Sequence, residues 1–309
     1  MKRDLLGIGD LKAKELSGIL KDALKFKKER ARGVMSRQLK GKTIALIFEK
    51  PSTRTRVSFE VGITEMGGTP LFLSSQELQL SRGETISDTA HTLSRYVHGI
   101  VARVRKHSDL QELAKNSSVP VINALSDREH PCQTVADLMT IMEKKGGLKD
   151  VKVAWVGDGN NVCNSLILGC SLMGADIVAA CPKGYEPPAD IIATAKENAE
   201  KSGSTVEITN APQIAVSGAD VVYTDVFVSM GQEAEREVKM QAFAGFQVNS
   251  QLFSLAKKDA IFMHCLPAHR GEEVTADVID GPNSVVFDQA ENRLHGQKAV
   301  MAFLFKRGR

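Results

Sequence analysis

Two α/β domains, each a mostly parallel sheet flanked by helices, are what this chain predicts, and three observations carry that reading. Short apolar runs alternate with helical stretches along nearly the whole length. Several of those runs are continuously apolar, as expected for strands buried on both faces. A Gly146-Gly147 pair interrupts the pattern near the middle and separates two sets of similar size.

The elements follow in order. Leu16, Ile19, Leu20, Ala23, Leu24 and Lys27 recur at helical spacing, with Asp10 as the expected N-cap and basic residues toward Arg30 suiting a helix C-terminus. Ile44–Phe48, Thr69–Leu73, Gly99–Val104 and Val119–Asn123 read as the first strands, and Thr134–Lys145 as the helix that precedes the glycine break. Val151–Val156, Asp176–Ala180, Thr205–Thr209, Val221–Thr224, Ala260–His264 and Val285–Phe287 read as the second set, with a final helix over Gln297–Phe305. The first domain is expected over residues 1–146, completed by a C-terminal helix at 290–309, and the second over 147–289. In such sheets ligands sit outside the carboxyl ends of strands, so the active site is expected in the interdomain cleft.

The 309 residues suffice for two cores, and 42% hydrophobic residues fits a soluble globular chain. A net charge of only +3 gives no reason to expect nucleic acid or a membrane surface as partner, so any anion site must be local. No apolar run is long enough for a bilayer and no targeting segment is evident, which predicts a cytoplasmic protein. The five cysteines are odd in number and contain no Cys-x-x-Cys pair, which predicts reduced thiols.

Ser52-Thr53-Arg54-Thr55-Arg56, between a strand and a helix, is the most informative segment. A helix N-terminus faces such a loop with free N–H groups, and three hydroxyls with two guanidiniums add donors that match phosphate oxygens. Polar residues also follow other strands: Arg103 after Ile100-Val101-Ala102, and His130 and Gln133 of His130-Pro131-Cys132-Gln133 at a helix start. Asp225 closes the strand Val221–Thr224 and leads into a loop bearing Ser229, Met230 and Gly231; an acid there suits a cationic substrate or caps a helix. His264-Cys265-Leu266-Pro267 follows a strand in the same way, and Arg293 lies near the end. His264, Cys265 and His269 lack a fourth ligand at a suitable spacing, so no metal is expected. Gly157-Asp158-Gly159 resembles a dinucleotide turn, but the third glycine position is Val162 and the next strand ends at Cys181-Pro182 without an acid. No cofactor is expected; Asn164, one helical step inside, is a possible ligand contact.

Together the Ser-Thr-Arg-Thr-Arg, His-Pro-Cys-Gln, Ser229-Met230-Gly231 and His-Cys-Leu-Pro motifs resemble those of the ornithine carbamoyltransferases, over nearly the whole chain and in order. The first motif is shared with aspartate carbamoyltransferases and speaks for carbamoyl phosphate; the Ser-Met-Gly and His-Cys-Leu-Pro motifs speak for ornithine. The resemblance implies carbamoyl transfer from carbamoyl phosphate to the δ-amine of L-ornithine, giving citrulline for arginine biosynthesis. It implies that Ser52, Thr53, Arg54 and Thr55 hold the phosphate, that Arg103 reaches phosphate and carbamoyl oxygens, and that His130 and Gln133 bind the carbamoyl group. It further implies a homotrimer with shared active sites, in which Gln79 completes the phosphate site from a neighbouring subunit. Asn164, Asp225, Ser229 and Met230 are implied to hold ornithine, and Cys265, Leu266 and Arg293 to line the reacting centre. Arg103, His130, Cys265 and Asp225 are the catalytic candidates.

Overall fold

In the computed structural model, which describes residues 2–74, 78–228 and 236–306, the chain divides into two compact units, Met1–Met139 with Glu291–Arg309, and Thr140–Ala290.

The first unit contains α1 (Ala13–Ala31), β1 (Thr43–Phe48), α2 (Thr53–Glu65), β2 (Thr69–Ser74), α3 (Ile86–Tyr96), β3 (Gly99–Arg103), α4 (His107–Asn116), β4 (Val121–Leu125) and most of α5 (Pro131–Lys145). Its sheet has the order β2-β1-β3-β4, with every pair parallel. Ala45, Ile47, Ile100, Ala102, Leu110 and Leu113 form a buried cluster in this unit. The N-terminal segment covers the outer edge of β4: Leu5 bridges Ile122, and the Leu5 N–H donates to the Val121 carbonyl. An otherwise open edge is thereby closed.

The second unit contains β5 (Lys152–Val156), α6 (Asn161–Met173), β6 (Asp176–Ala180), α7 (Ala189–Ser202), β7 (Val206–Thr209), α8 (Pro212–Val216), β8 (Val221–Thr224), α9 (Arg236–Ala242), α10 (Ser250–Phe253), β9 (Ile261–His264) and α11 (Ala276–Ile279). Its five strands have the order β7-β6-β5-β8-β9, again all parallel. Ala154, Val156, Val222, Phe227, Phe243 and Phe262 belong to its core. The last helix, α12 (Val286–Leu304), begins in the second unit and ends in the first. In the first unit Lys298 Nζ lies 2.8 Å from Glu65 Oε2, whose other oxygen takes Arg30.

Two expectations are corrected. Asp10 does not cap α1; it sits in a 3-10 turn and accepts the Leu6 and Gly7 N–H groups. Lys12 occupies the N-cap position instead, and Glu15 at N3 reaches back to its N–H. Val285–Phe287 is not a strand. β9 takes an isolated bridge to Ser284, with the Phe262 N–H on the Asn283 carbonyl and the Val285 N–H on the Phe262 carbonyl, after which α12 starts at Val286. Helical periodicity wins there: Val286 and Gln289 are buried and Phe287 is 74% exposed. The C-terminal helix is therefore longer than the apolar pattern alone suggests.

Both sheets contain a topological switch. In the first, β1 and β3 are neighbours while the chain leaves them in opposite directions; in the second, β5 and β8 stand in that relation. Crevices outside the carboxyl ends of such strand pairs are where open α/β sheets receive ligands. No helix among the described residues is long and apolar enough to cross a membrane.

Candidate active site

The loop after β1 carries the residues expected to cradle a phosphate, at the N-terminus of α2. Ser52 N-caps α2: its Oγ accepts the Thr55 N–H at 3.3 Å and donates to Thr55 Oγ1 at 3.0 Å. Thr55 Oγ1 also accepts from Arg293 Nη2 at 3.1 Å. With two donors on its oxygen, the buried Thr55 hydroxyl keeps its own hydrogen for a ligand. Thr53 is exposed and Arg54 half-buried in the first turn of α2. Arg56 belongs elsewhere, because its guanidinium lies 3.6 Å over the Phe72 ring and pairs with Glu60.

Arg103 ends β3 at a register shift, where Ala102 pairs with Asn123 but Arg103 pairs with Leu125. Such a bulge re-aims the side chain at a strand end. His130 precedes α5, and its carbonyl accepts the N–H groups of Gln133 and Thr134. Arg293, 3% exposed on α12, donates from Nη1 to Gln133 Oε1 at 2.6 Å. Gln133 in turn donates to Asp137 at 2.8 Å, so its amide is oriented at both ends. One guanidinium therefore ties the cradle of α2 to the start of α5. Burial, then Arg293, then Arg103, holds the His130 pKa well below the ordinary histidine value. The imidazole stays neutral beside the charges of Arg293 and Arg103.

Cys132 of the same motif is not a nucleophile. Burial pushes its thiol up to about 12 against a smaller lowering by Arg293, and Sγ donates to the Asn123 carbonyl. Gln79 is exposed at the start of a 3-10 turn, Gln79–Arg82.

His107 and His295 are also lowered, burial being the largest cause in each. The unfolded chain protonates all three histidines near their ordinary value of about 6.5 while the folded chain resists, so unfolding takes up protons. Their stabilisation is complete above that pH and is lost as pH falls from about 6.5 toward the folded values. Urea midpoints measured across this window are expected to fall with acid, and less so in His107→Ala.

In the second unit the polar residues gather at the β5/β8 switch. Asn160 N-caps α6 through Oδ1, which accepts the Val162 and Cys163 N–H groups, while Nδ2 donates to Asp225 Oδ2 at 2.9 Å. Cys265 Sγ, at the end of β9, donates to Asp225 Oδ1 at 3.0 Å. Both oxygens of this buried carboxylate are thus oriented. The Leu266 N–H donates to His264 Nδ1 at 2.9 Å, which leaves Nε2 to donate to Glu273 Oε1 at 3.2 Å. The ring is thereby fixed in one tautomer, and with it the turn that carries Cys265. Lys239 of α9 pairs with Asp158 at 2.6 Å, joining that helix to the glycine turn.

Asn160 was not visible as a site residue in the sequence, where it looks like any helix cap; the cap position was the signal. Asn164 lies buried one turn inside α6, its N–H on the Asn160 carbonyl. Ser229 and Met230 fall outside the described residues.

The glycine turn is structural. Gly157 has φ of +145°, and a Cβ on Gly159 would stand 2.3 Å from Pro187 N and 2.6 Å from the Tyr185 carbonyl oxygen. Backbone thus packs directly on Gly159, whose N–H donates to that carbonyl. Gly159→Ala is expected to destabilise the second unit by about 1–3 kcal/mol in denaturant titration, since backbone cannot yield as a side-chain tip does.

The chain is similar to known proteins across both units. Residues 3–143 match the family model for the carbamoyl-P binding domain of aspartate/ornithine carbamoyltransferases, and residues 149–304 that for the Asp/Orn binding domain. An ornithine carbamoyltransferase of Pyrococcus horikoshii is 59% identical over 302 residues, covering 98% of this chain and 95% of that protein. An anabolic ornithine carbamoyltransferase of Pyrococcus furiosus is 59% identical over 302 residues, covering 98% and 96%. A solved ornithine carbamoyltransferase from Pyrococcus furiosus is similar at a TM-score of 0.96 and 57% identity, covering 100% of this chain and 98% of that one.

Proposed function

Because the chain belongs to the aspartate/ornithine carbamoyltransferase family, we propose that it transfers the carbamoyl group of carbamoyl phosphate to the δ-amine of L-ornithine, giving L-citrulline and phosphate. The observation that carries the reading is Arg293, donating at once to Thr55 of the phosphate cradle and to Gln133 beside His130. Such a fork suits a dianionic substrate whose carbamoyl group lies next to its phosphate.

Ser52, Thr53, Arg54 and Thr55 hold the phosphate, and Arg103, His130 and Gln133 the carbamoyl group. Asp225, fixed by Asn160 and Cys265, receives the amino acid with Asn164, Ser229 and Met230. Cys265 and Leu266 line the reacting carbon. The neutral δ-amine attacks the carbonyl carbon, and the carbonyl oxygen becomes an oxyanion. Donors from Arg103, His130 and Thr55 stabilise that oxygen more in the transition state than in the ground state. The new N–C bond forms, the C–O bond to phosphate breaks, and the proton of the attacking nitrogen leaves with phosphate. Cys265 directs its hydrogen at Asp225 and so orients the amine's environment without forming a covalent bond. Arg54 and the N-terminus of α2 stabilise the departing phosphate.

The anabolic relative supports the synthetic direction toward arginine. The reading extends to a homotrimer in which Gln79 completes a neighbour's phosphate site, which sedimentation of the full chain checks. The deciding experiment supplies carbamoyl phosphate with ornithine, putrescine, acetylornithine or aspartate and measures carbamoylated product and phosphate release. Citrulline from ornithine alone is expected. No turnover with any acceptor by a folded protein sinks the reading.

A further inference from the structure

We propose that the loop after β9 carries a site for a first-row divalent cation, zinc above all, built from His269 Nδ1 and the carboxylates of Glu272 and Glu273. Their ligand atoms all lie within 4.8 Å of one another. His269 Nδ1 stands 3.8 Å from Glu273 Oε2. Two ligands on one tetrahedral zinc, with bonds of about 2.0–2.1 Å, sit roughly 3.3 Å apart. A small closure of the pair therefore suffices.

Glu273 is what makes the cluster more than a group of surface acids. Its side chain is fully buried. Oε1 accepts from His264 Nε2 and from the His269 N–H. Oε2 is buried and has no hydrogen-bond partner among the described residues. A buried carboxylate oxygen without a donor is unfavourable, and a cation between it and the His269 ring removes that penalty. His269 is 48% exposed, so its ring opens the site to solvent. Glu272 is partly buried and pairs with Arg236 at 2.6 Å, an exposed contact that is weak and readily exchanged for a metal.

The loop is held in shape before any ion arrives. Gln247 Nε2 donates to the carbonyls of Gly271 at 2.8 Å and Glu272 at 3.0 Å, and the Val248 N–H donates to the Glu273 carbonyl at 2.9 Å. Gly271, with φ of +92°, closes the tight turn in which its N–H donates to the Val274 carbonyl. One imidazole and two carboxylates leave an open position for water, and the donor set suits zinc, cobalt or nickel better than calcium or magnesium. Because Glu273 also holds the His264 ring, a cation on Oε2 stiffens the turn bearing Cys265. The site is distinct from the Asp225–Cys265 pair, which offers a thiol.

The test uses the full chain with Cys265→Ser as background, so that a thiolate-bound ion cannot pass for this one. Calorimetric titration with zinc is expected to show binding that Cys265→Ser preserves and that His269→Ala or Glu272→Gln weakens by about tenfold or more. Cobalt on the Cys265→Ser chain is expected to give the absorption of an ion bound by nitrogen and oxygen, lacking a thiolate-to-metal band. Zinc affinity unchanged in both His269→Ala and Glu272→Gln, or binding that vanishes with Cys265, overturns the proposal.

Discussion

Asp225→Asn is expected to lower kcat/KM for ornithine by about 10²–10³-fold while leaving the affinity for inorganic phosphate unchanged. The carboxylate accepts from Asn160 Nδ2 on one oxygen and from Cys265 Sγ on the other. An amide of the same shape turns one of those acceptors into a donor. If the new NH2 faces Asn160, two donors meet, and Asn160 cannot flip without withdrawing Oδ1 from the N-terminus of α6. If it faces Cys265, the thiol must reverse its hydrogen and the orientation of the reacting centre is lost. A buried donor left unsatisfied costs about 1–3 kcal/mol, and loss of a charged acceptor for a cationic substrate adds about 1.5–3 kcal/mol. Steady-state kinetics with ornithine varied, beside a phosphate binding curve, separates this from unfolding. Activity within threefold of the parent would mean that Asp225 does not receive the amino acid.

Arg293 offers the second large effect and a contrast between two substitutions. Arg293→Lys keeps a charge but cannot span Gln133 and Thr55 with one ammonium, so the KM for carbamoyl phosphate should rise by about 10–100-fold. Arg293→Gln removes the charge as well. The His130 pKa is depressed chiefly by burial and then by Arg293 and Arg103. Without the Arg293 charge the protonated imidazole becomes less unfavourable, and the pKa rises part of the way back, since burial and Arg103 remain. The acid limb of kcat/KM should therefore move to higher pH in Arg293→Gln and stay in place in Arg293→Lys. Matching pH profiles for the two variants would remove His130 from the pH dependence.

Much of the architecture can be read from local pattern, because strands buried on both faces must be apolar without interruption and each loop must carry its own turn chemistry. Thr69–Ser74, Gly99–Arg103, Asp176–Ala180 and Val221–Thr224 lie within a residue or so of where their apolar runs place them. The helix start in the Ser-Thr-Arg-Thr-Arg segment is equally legible, since Ser52 caps a helix that begins at the next residue. Boundaries governed by competition are not: Lys12 displaces Asp10 as the cap, and helical burial overrides the short apolar run at Val285.

From the sequence alone come the fold class, the polar residues that stand at strand ends and the family their motifs resemble. Only the tertiary structure decided which of those residues meet. Asn160 reaches Asp225 across 65 residues of chain, and Arg293 reaches Thr55 across 238. Parallel strand order is set by how crossover helices pack, so the neighbours β1/β3 and β5/β8 have no signature in local spacing. The same limit hid the backbone that closes over Gly159 and the buried face of Glu273. Proximity between distant segments is a property of the packed core, and the burial that chiefly lowers the His130 pKa and leaves Glu273 Oε2 without a donor among the described residues exists only once that core has formed.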